Sequence, residues 1–438
     1  MSIATAILYI AILYVRPGEI NPALESLRLA ATTGALGVIV MLVAWVARPR
    51  AFLNQPIDFY VTGFFLAIVL SNPAWGWVEG GRQAFVAMIP SFVSYLLIRS
   101  AVREPRHLRY LGTALVTLTL FQAVNGILQY HTGVGFGEVE ATEQRVYGLG
   151  EEAQSEPSSV RRIKGTGIFN DPNDLAMAFV AVIPFLVGPI ISSSTNFAAR
   201  FLSVLAVVPM LVALLYTSSR GGVLGLLAAM SPYAWRRGGW LKKAVIAIIA
   251  ATVVIVASGS RMSQIDSGEE SAQGRVQAWS AGLQMLKSKP VLGVGFGRFT
   301  EFNELVAHNS FVHTVAETGL VGGFFLSGIF YWLFRGLAGR GHADSAANRE
   351  RQRLLQWGDE LLMACIGLAV TMIFLSRQYV PIFFIFAAMG ASYRAVMQDE
   401  GEPVRPAGTR DLLFVGASLI TGVGVIYAAV QVLAQFPS

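Results

Sequence analysis

Long blocks of apolar sequence, almost free of charge, constrain this chain more than anything else in it. They run at about 2–15, 27–47, 57–71, 84–98, 108–130, 174–192, 198–217, 221–235, 243–258, 309–334, 359–375, 379–393 and 411–434. A hydrocarbon core roughly 30 Å thick takes about 20 helical residues to cross, and most of these blocks come close to that. In lipid the backbone polar groups of such a block are satisfied only within a helix or a closed barrel. The predicted fold is therefore all-α and polytopic, with 12–13 transmembrane helices. Only 14% of the residues are charged, against about 25% in soluble domains. That shortage overrides the several soluble domains a length of 438 would suggest. The 44 glycines suit helices that pack closely in a membrane. Cys365 is the single cysteine and lies in an apolar block, so neither a disulfide framework nor a cysteine metal site is expected. No A-x-A-like site follows the first block, which is read as a retained span.

Lysine and arginine set the orientation. With the N-terminus inside, the inner loops hold roughly 19 of the 33 basic residues. The net charge of +6 is read as topology, not as a nucleic-acid surface. The whole chain, 1–438, is one integral membrane domain in this reading, and the C-terminus falls outside. Its two longest outer loops are 131–173 and 259–308; the inner ones include 335–358 and a Pro- and Gly-containing linker at 395–410.

The outer loops carry the residues capable of chemistry. Loop 131–173 begins with glutamates and turns basic at Arg161-Arg162 before Asn170-Asp171-Pro172-Asn173-Asp174. Asp171 or Asn173 is expected to cap the helix that follows. The arginine pair has two readings: ion pairs to the glutamates, or a clamp for phosphate or carboxylate. Arg220 stands in the short turn Ser218-Ser219-Arg220-Gly221-Gly222, either snorkelling to headgroups or holding an anion beside exposed backbone N–H groups. In loop 259–308 the spacing of Val276, Trp279, Leu283 and Leu286 predicts a helix along the membrane face, with Arg275 near its start. Pro290 ends it, and Gly293, Gly295 and Gly297 read as a turn more readily than as a phosphate loop, since no Lys-Ser/Thr follows. His308, at the start of the tenth block, is either a structural hydrogen-bonder or a general base. Glu317 is an acid within an apolar span and so a functional candidate. Neither an Asp-x-Asp pair, a Walker motif nor a GxSxG elbow is present, which argues against a nucleotide-activated donor.

Four pieces together resemble the O-antigen ligase and O-antigen polymerase superfamily of bacterial membrane proteins. They are Gly165-Thr166-Gly167-Ile168-Phe169-Asn170-Asp171-Pro172-Asn173; Ser219-Arg220-Gly221-Gly222; Gly274-Arg275 with Trp279 and the Pro290 glycine turn; and His308-Asn309 with Glu317, Gly319, Leu320 and Gly322. The likeness is carried by residues 160–330; the remainder matches in hydropathy and span count. It implies a GT-C-like enzyme of the bacterial inner membrane, N-terminus cytoplasmic, with its active site on periplasmic loop 259–308 between the ninth and tenth spans. The implied reaction is a metal-independent, inverting glycosyl transfer from an undecaprenyl-diphosphate-linked glycan, without cofactor. The acceptor is lipid A core or another hydroxyl for a ligase, and the growing lipid-linked glycan for a polymerase. By position His308 matches the family's acceptor-activating histidine, and Arg220 and Arg275 its diphosphate-holding arginines. Arg161 and Arg162 are further diphosphate candidates, with Asn309, Asn173 and Glu317 in support. The family is drawn with twelve spans and both ends inside, one fewer than counted here.

A different class, a transporter or flippase of lipid-linked oligosaccharides, would place charges near the midplane on broken helices in repeated halves. Here the unusual charges gather at one face and no repeat is evident, which favours the enzyme.

Overall fold

The computed structural model describes residues 2–47, 53–146, 158–192, 195–237, 273–338, 349–402 and 406–434. In chain order the longer elements are α1 (Ile3–Val15), α2 (Leu29–Ala47), α3 (Pro56–Ser71), α4 (Val78–Ala101), α5 (Pro105–Thr132), β1 (Thr142–Val146), β2 (Ser158–Arg162), α6 (Pro172–Ile191), α7 (Phe197–Tyr216) and α8 (Arg220–Arg237). They continue with α9 (Gln273–Ser288), the single turn α10 (Phe299–Phe302), α11 (Ser310–Ala338), α12 (Arg349–Phe374), α13 (Pro381–Asp399) and α14 (Thr409–Ala434). The protein is all-α and polytopic: among the described residues ten helices are long and apolar enough to cross a membrane. Helices α8 and α13 cover two more of the expected blocks but are not among those ten. The expected span at 243–258 and the start of loop 259–308 lie outside the described residues.

The helices gather into two units, each assembled from segments far apart in sequence. One comprises Met1–Pro49, Ser100–Ile265 and Arg340–Thr371; the other Arg50–Arg99, Asp266–Gly339 and Met372–Ser438. The first unit is built on α6. Every residue from Leu175 to Ile183 is buried, as expected of a helix apolar on all sides. Asp171 caps it as the sequence predicts, its carboxylate accepting the Asn173 N–H at 2.7 Å. Glycines Gly225 of α8 and Gly367 of α12 face each other, and a Cβ on Gly367 would lie 2.6 Å from Val180. Small residues here let the backbones approach without a hydrophobic drive between helices.

The second unit is built on α11, packed against α3, α9, α13 and α14. Tyr60 of α3 fills the space over Gly328, and Phe325 of α11 the space over Gly63. At one end of α3, Arg99 holds Asp58 through two bonds, Nε to Oδ1 at 2.8 Å and Nη2 to Oδ2 at 2.9 Å, both residues being buried. Asp58 also accepts the backbone N–H of Gln55, closing a capping box. A bidentate pair whose remaining oxygens are also bonded is the form in which a buried charge is tolerated.

Candidate functional site

In the first unit, the motif before α6 is a packing device. Thr166 and Gln122 exchange hydrogen bonds: Gln122 Nε2 donates to Thr166 Oγ1 at 2.8 Å, and Thr166 N donates to Gln122 Oε1 at 3.1 Å. Gln122 Nε2 also donates to the Tyr14 carbonyl at 2.6 Å, tying the motif to the end of α1. Gly167, at φ 66°, lies so close to the Leu13 and Tyr14 carbonyls that no side chain fits.

β1 and β2 form an antiparallel hairpin that aims the arginine pair. Arg161 faces Glu143 across it at 3.9 Å and donates to the Tyr130 carbonyl at 2.9 Å. Arg162 points to the α7–α8 turn: its Nε donates to the Thr217 carbonyl at 2.9 Å and its Nη2 to Asn173 Oδ1 at 3.3 Å. That turn is held from within as well. Ser219 N donates to Thr217 Oγ1 at 3.3 Å, and Gly222 N to Ser219 Oγ at 3.2 Å, which caps α8. Ser218 adopts φ 51°. Arg220 is the first residue of α8 and is exposed. Arg161, Arg162, Asn173 and Arg220 thus belong to one unit, with Arg162 and Asn173 buttressing the turn that presents Arg220.

In the second unit, the helix predicted from Val276, Trp279, Leu283 and Leu286 is α9. Arg275 and Trp279, four residues apart, share one face of it. The Trp279 indole N–H donates to the carbonyl of Ala307 at 2.9 Å, the residue before His308. The face bearing Arg275 is therefore fastened to the histidine's own loop. Beneath it, Met285, Val294, Phe299, Ala307, Val312 and Ala316 form a closed apolar core. His308 is half-buried at φ 46°, in the left-handed region. Outside glycine, that conformation persists only where its surroundings enforce it, and such residues gather at functional sites. Asn309 caps α11, its Oδ1 accepting the N–H groups of Phe311 at 2.9 Å and Val312 at 3.1 Å. Ser310 donates to the Leu375 carbonyl at 2.6 Å and accepts the Arg377 N–H at 2.9 Å, bringing the α12–α13 turn to the same place.

The glycine turn 290–297 does not form an open anion loop. It docks into a break in α11 at Gly319, where φ is 64° and ψ −163°. There Leu320 N donates to the Pro290 carbonyl at 2.8 Å and Val321 N to that of Val291 at 3.1 Å, while Val294 N and Gly295 N each donate at 2.9 Å to the carbonyls of Ala316 and Glu317. Side chains at Gly293 or Gly319 would overlap the opposite backbone, so the turn reading is the correct one. Glu317, 1% exposed, binds the break from inside. Its Oε1 lies 3.0 Å from His313 Nε2 and accepts the Phe299 N–H at 3.2 Å; its Oε2 accepts the Tyr379 O–H at 3.1 Å. Burial, and then the adjacent carboxylate, push the Tyr379 phenol well above its ordinary range, so it stays a donor. The His313–Glu317 spacing of four was legible in the sequence; Tyr379 carried no local signal.

Beside Trp279 and Asn309 an apolar groove of about 810 Å³ opens along α11 and α14 and runs to Arg335 and Ala338 at the far end of α11. Beyond the break at Gly319, the continuous helix Leu320–Ala338 rises about 28 Å, close to the thickness of a hydrocarbon core.

A family model described as O-Antigen ligase matches residues 205–327. The match supports placing the chain in the O-antigen ligase superfamily. The O-antigen ligase segment begins within α7 and ends beyond the Gly319 break, so it takes in Arg220, Arg275, His308, Asn309 and Glu317, while Arg161, Arg162 and Asn173 precede it. Comparison with curated proteins finds no match. Over residues 205–327 the chain is similar to O-antigen ligases, and its ten long apolar helices mark a multi-pass membrane protein.

Proposed function

We propose that this protein transfers a glycan from undecaprenyl diphosphate to an acceptor hydroxyl at the periplasmic face of the inner membrane. The observation that carries this reading is the Trp279–Ala307 bond, which fastens the Arg275 helix to the His308 loop beside an apolar groove, to which the polyprenyl chain is assigned. In the proposed reaction, neutral His308 accepts the proton of the acceptor hydroxyl as that oxygen attacks the anomeric carbon. The carbon–oxygen bond to phosphate breaks on the opposite side, and configuration inverts. Undecaprenyl diphosphate leaves with the bonding pair. Arg275 meets the charge that develops there; a guanidinium pairs two phosphate oxygens at once and is fixed before the reaction begins. Arg220, at the matching position in its motif, is assigned the same task, with Arg161 and Arg162 behind it. Asn309 and Glu317 act through position: one caps α11 next to His308, the other locks the turn under it.

A ligase is favoured, with lipid A core or another glycan as acceptor. Deleting the gene and resolving the cell's surface glycans on a gel tests this. Loss of every long chain from the core is the ligase result; chains stopped at one repeat are the polymerase result; an unchanged ladder refutes both. Purified protein with lipid-linked donor and acceptor provides the direct assay, in which His308→Ala abolishes transfer without loss of membrane insertion.

A further inference from the structure

At the other end of α11 from His308, a second and smaller cavity has no place in the transfer chemistry. It holds about 60 Å³ and is lined by Gln55 and Pro56 at the start of α3, by Trp332, Arg335 and Gly336 of α11, and by Gly390, Arg394 and Gln398 of α13. The simplest account of its arginines is that they neutralise nearby acids. Arg335 does pair with Asp411, and Arg394 with Glu402 at 2.6 Å. Neither acid lines the cavity, however, whereas both arginines do. Small residues keep the space open: a Cβ on Gly336 would meet only the Arg394 side chain, at 3.9 Å. Arg335 also lies over the rings of Trp332 and Tyr331, at 5.0 and 5.6 Å, an aromatic setting typical of headgroup depth.

We infer that this cavity holds the phosphate of an anionic phospholipid headgroup. The volume takes several waters, hence one phosphate group, and excludes anything as large as a nucleotide. An arginine from each of two helices suits a phosphate diester, and basic pockets at the inner ends of membrane helices are where such headgroups bind. The positive-inside reading of the loops makes this the cytoplasmic leaflet. Arg335 also borders the far end of the groove, but the inference rests on the cavity's own lining and stands whether or not the transfer reading holds.

The test uses the full-length protein in nanodiscs of phosphatidylcholine with or without phosphatidylglycerol, followed by native mass spectrometry of retained lipid and by thermal unfolding. Wild type is expected to retain phosphatidylglycerol over phosphatidylcholine and to melt at a higher temperature in its presence. The double substitution R335Q/R394Q is expected to lower that preference roughly fivefold for each arginine removed. Because it also unpairs Asp411 and Glu402, Gly336→Leu serves as the second variant: it fills the cavity, leaves both ion pairs in place, and is expected to abolish the preference as well. Equal retention of the two lipids by wild type, or an unaltered preference in Gly336→Leu, overturns the inference. A shift produced by inorganic phosphate and not by phosphatidylglycerol assigns a free anion instead, and overturns the lipid.

Discussion

Replacing His308 by glycine and, separately, by alanine separates what its side chain does from what its backbone needs. At φ 46° an L-residue sits in the left-handed region, which costs roughly 1–2 kcal/mol that glycine avoids. Glycine in turn gives the unfolded chain more freedom, worth about 0.4–1 kcal/mol against it. Both variants lose the imidazole and whatever it bonds to, so that loss cancels in the comparison. His308→Gly should therefore be more stable than His308→Ala by about 0.5–1 kcal/mol, or about 0.5–1 °C in melting temperature for a chain of this size. Neither should transfer glycan, since neither can accept the acceptor's proton. The assays are thermal unfolding in one detergent and product formation from a lipid-linked donor. An alanine variant as stable as the glycine variant would refute the enforced backbone. Wild-type transfer by either one removes the imidazole from the reaction.

Arg275→Lys keeps the charge but loses the planar fork, and its rate of transfer should fall about a hundredfold with α9 intact; undiminished transfer excludes bidentate holding. Gly319→Ala places a Cβ against the Val291 carbonyl at φ 64°. It should cost about 2 kcal/mol or more and expose the 290–297 turn to protease, and an unaltered cleavage pattern would show that the break does not need glycine. Glu317→Leu strands the Phe299 N–H and the Tyr379 O–H, each costing about 1–3 kcal/mol when buried without a partner, whereas Glu317→Gln keeps an acceptor and should melt nearer to wild type. Equal melting temperatures for these two variants would deny Glu317 its bonding role.

Glu317 is the residue for which spacing and structure diverge most. As an acid in an apolar span it reads as chemistry. In the fold it is enclosed by His313, the Phe299 N–H and the Tyr379 O–H, and it joins α11, α10 and the α12–α13 turn. The same holds for the glycines of that turn, whose pattern suggests an anion loop but whose backbone N–H groups at Gly293 and Gly295 are spent on carbonyls. Their task is close approach, so holding an anion in that loop falls to side chains.

What the sequence alone determined is what depends on near neighbours. Uncharged blocks of membrane length dictate helices because lipid leaves the backbone no other partner. Asp171 beside Pro172 dictates a cap, and four-residue spacing places Arg275 and Trp279 on one face of α9. The tertiary structure decided everything that joins distant positions: Trp279 to Ala307 across 28 residues, Arg162 to Thr217 across 55, Tyr379 to Glu317 across 62. It also decided the left-handed turn at His308 and the groove beside it. Periodicity and capping act over one or two helical turns, whereas these bonds form only when the helices have packed, and nothing in a local window records which side chain will arrive from elsewhere.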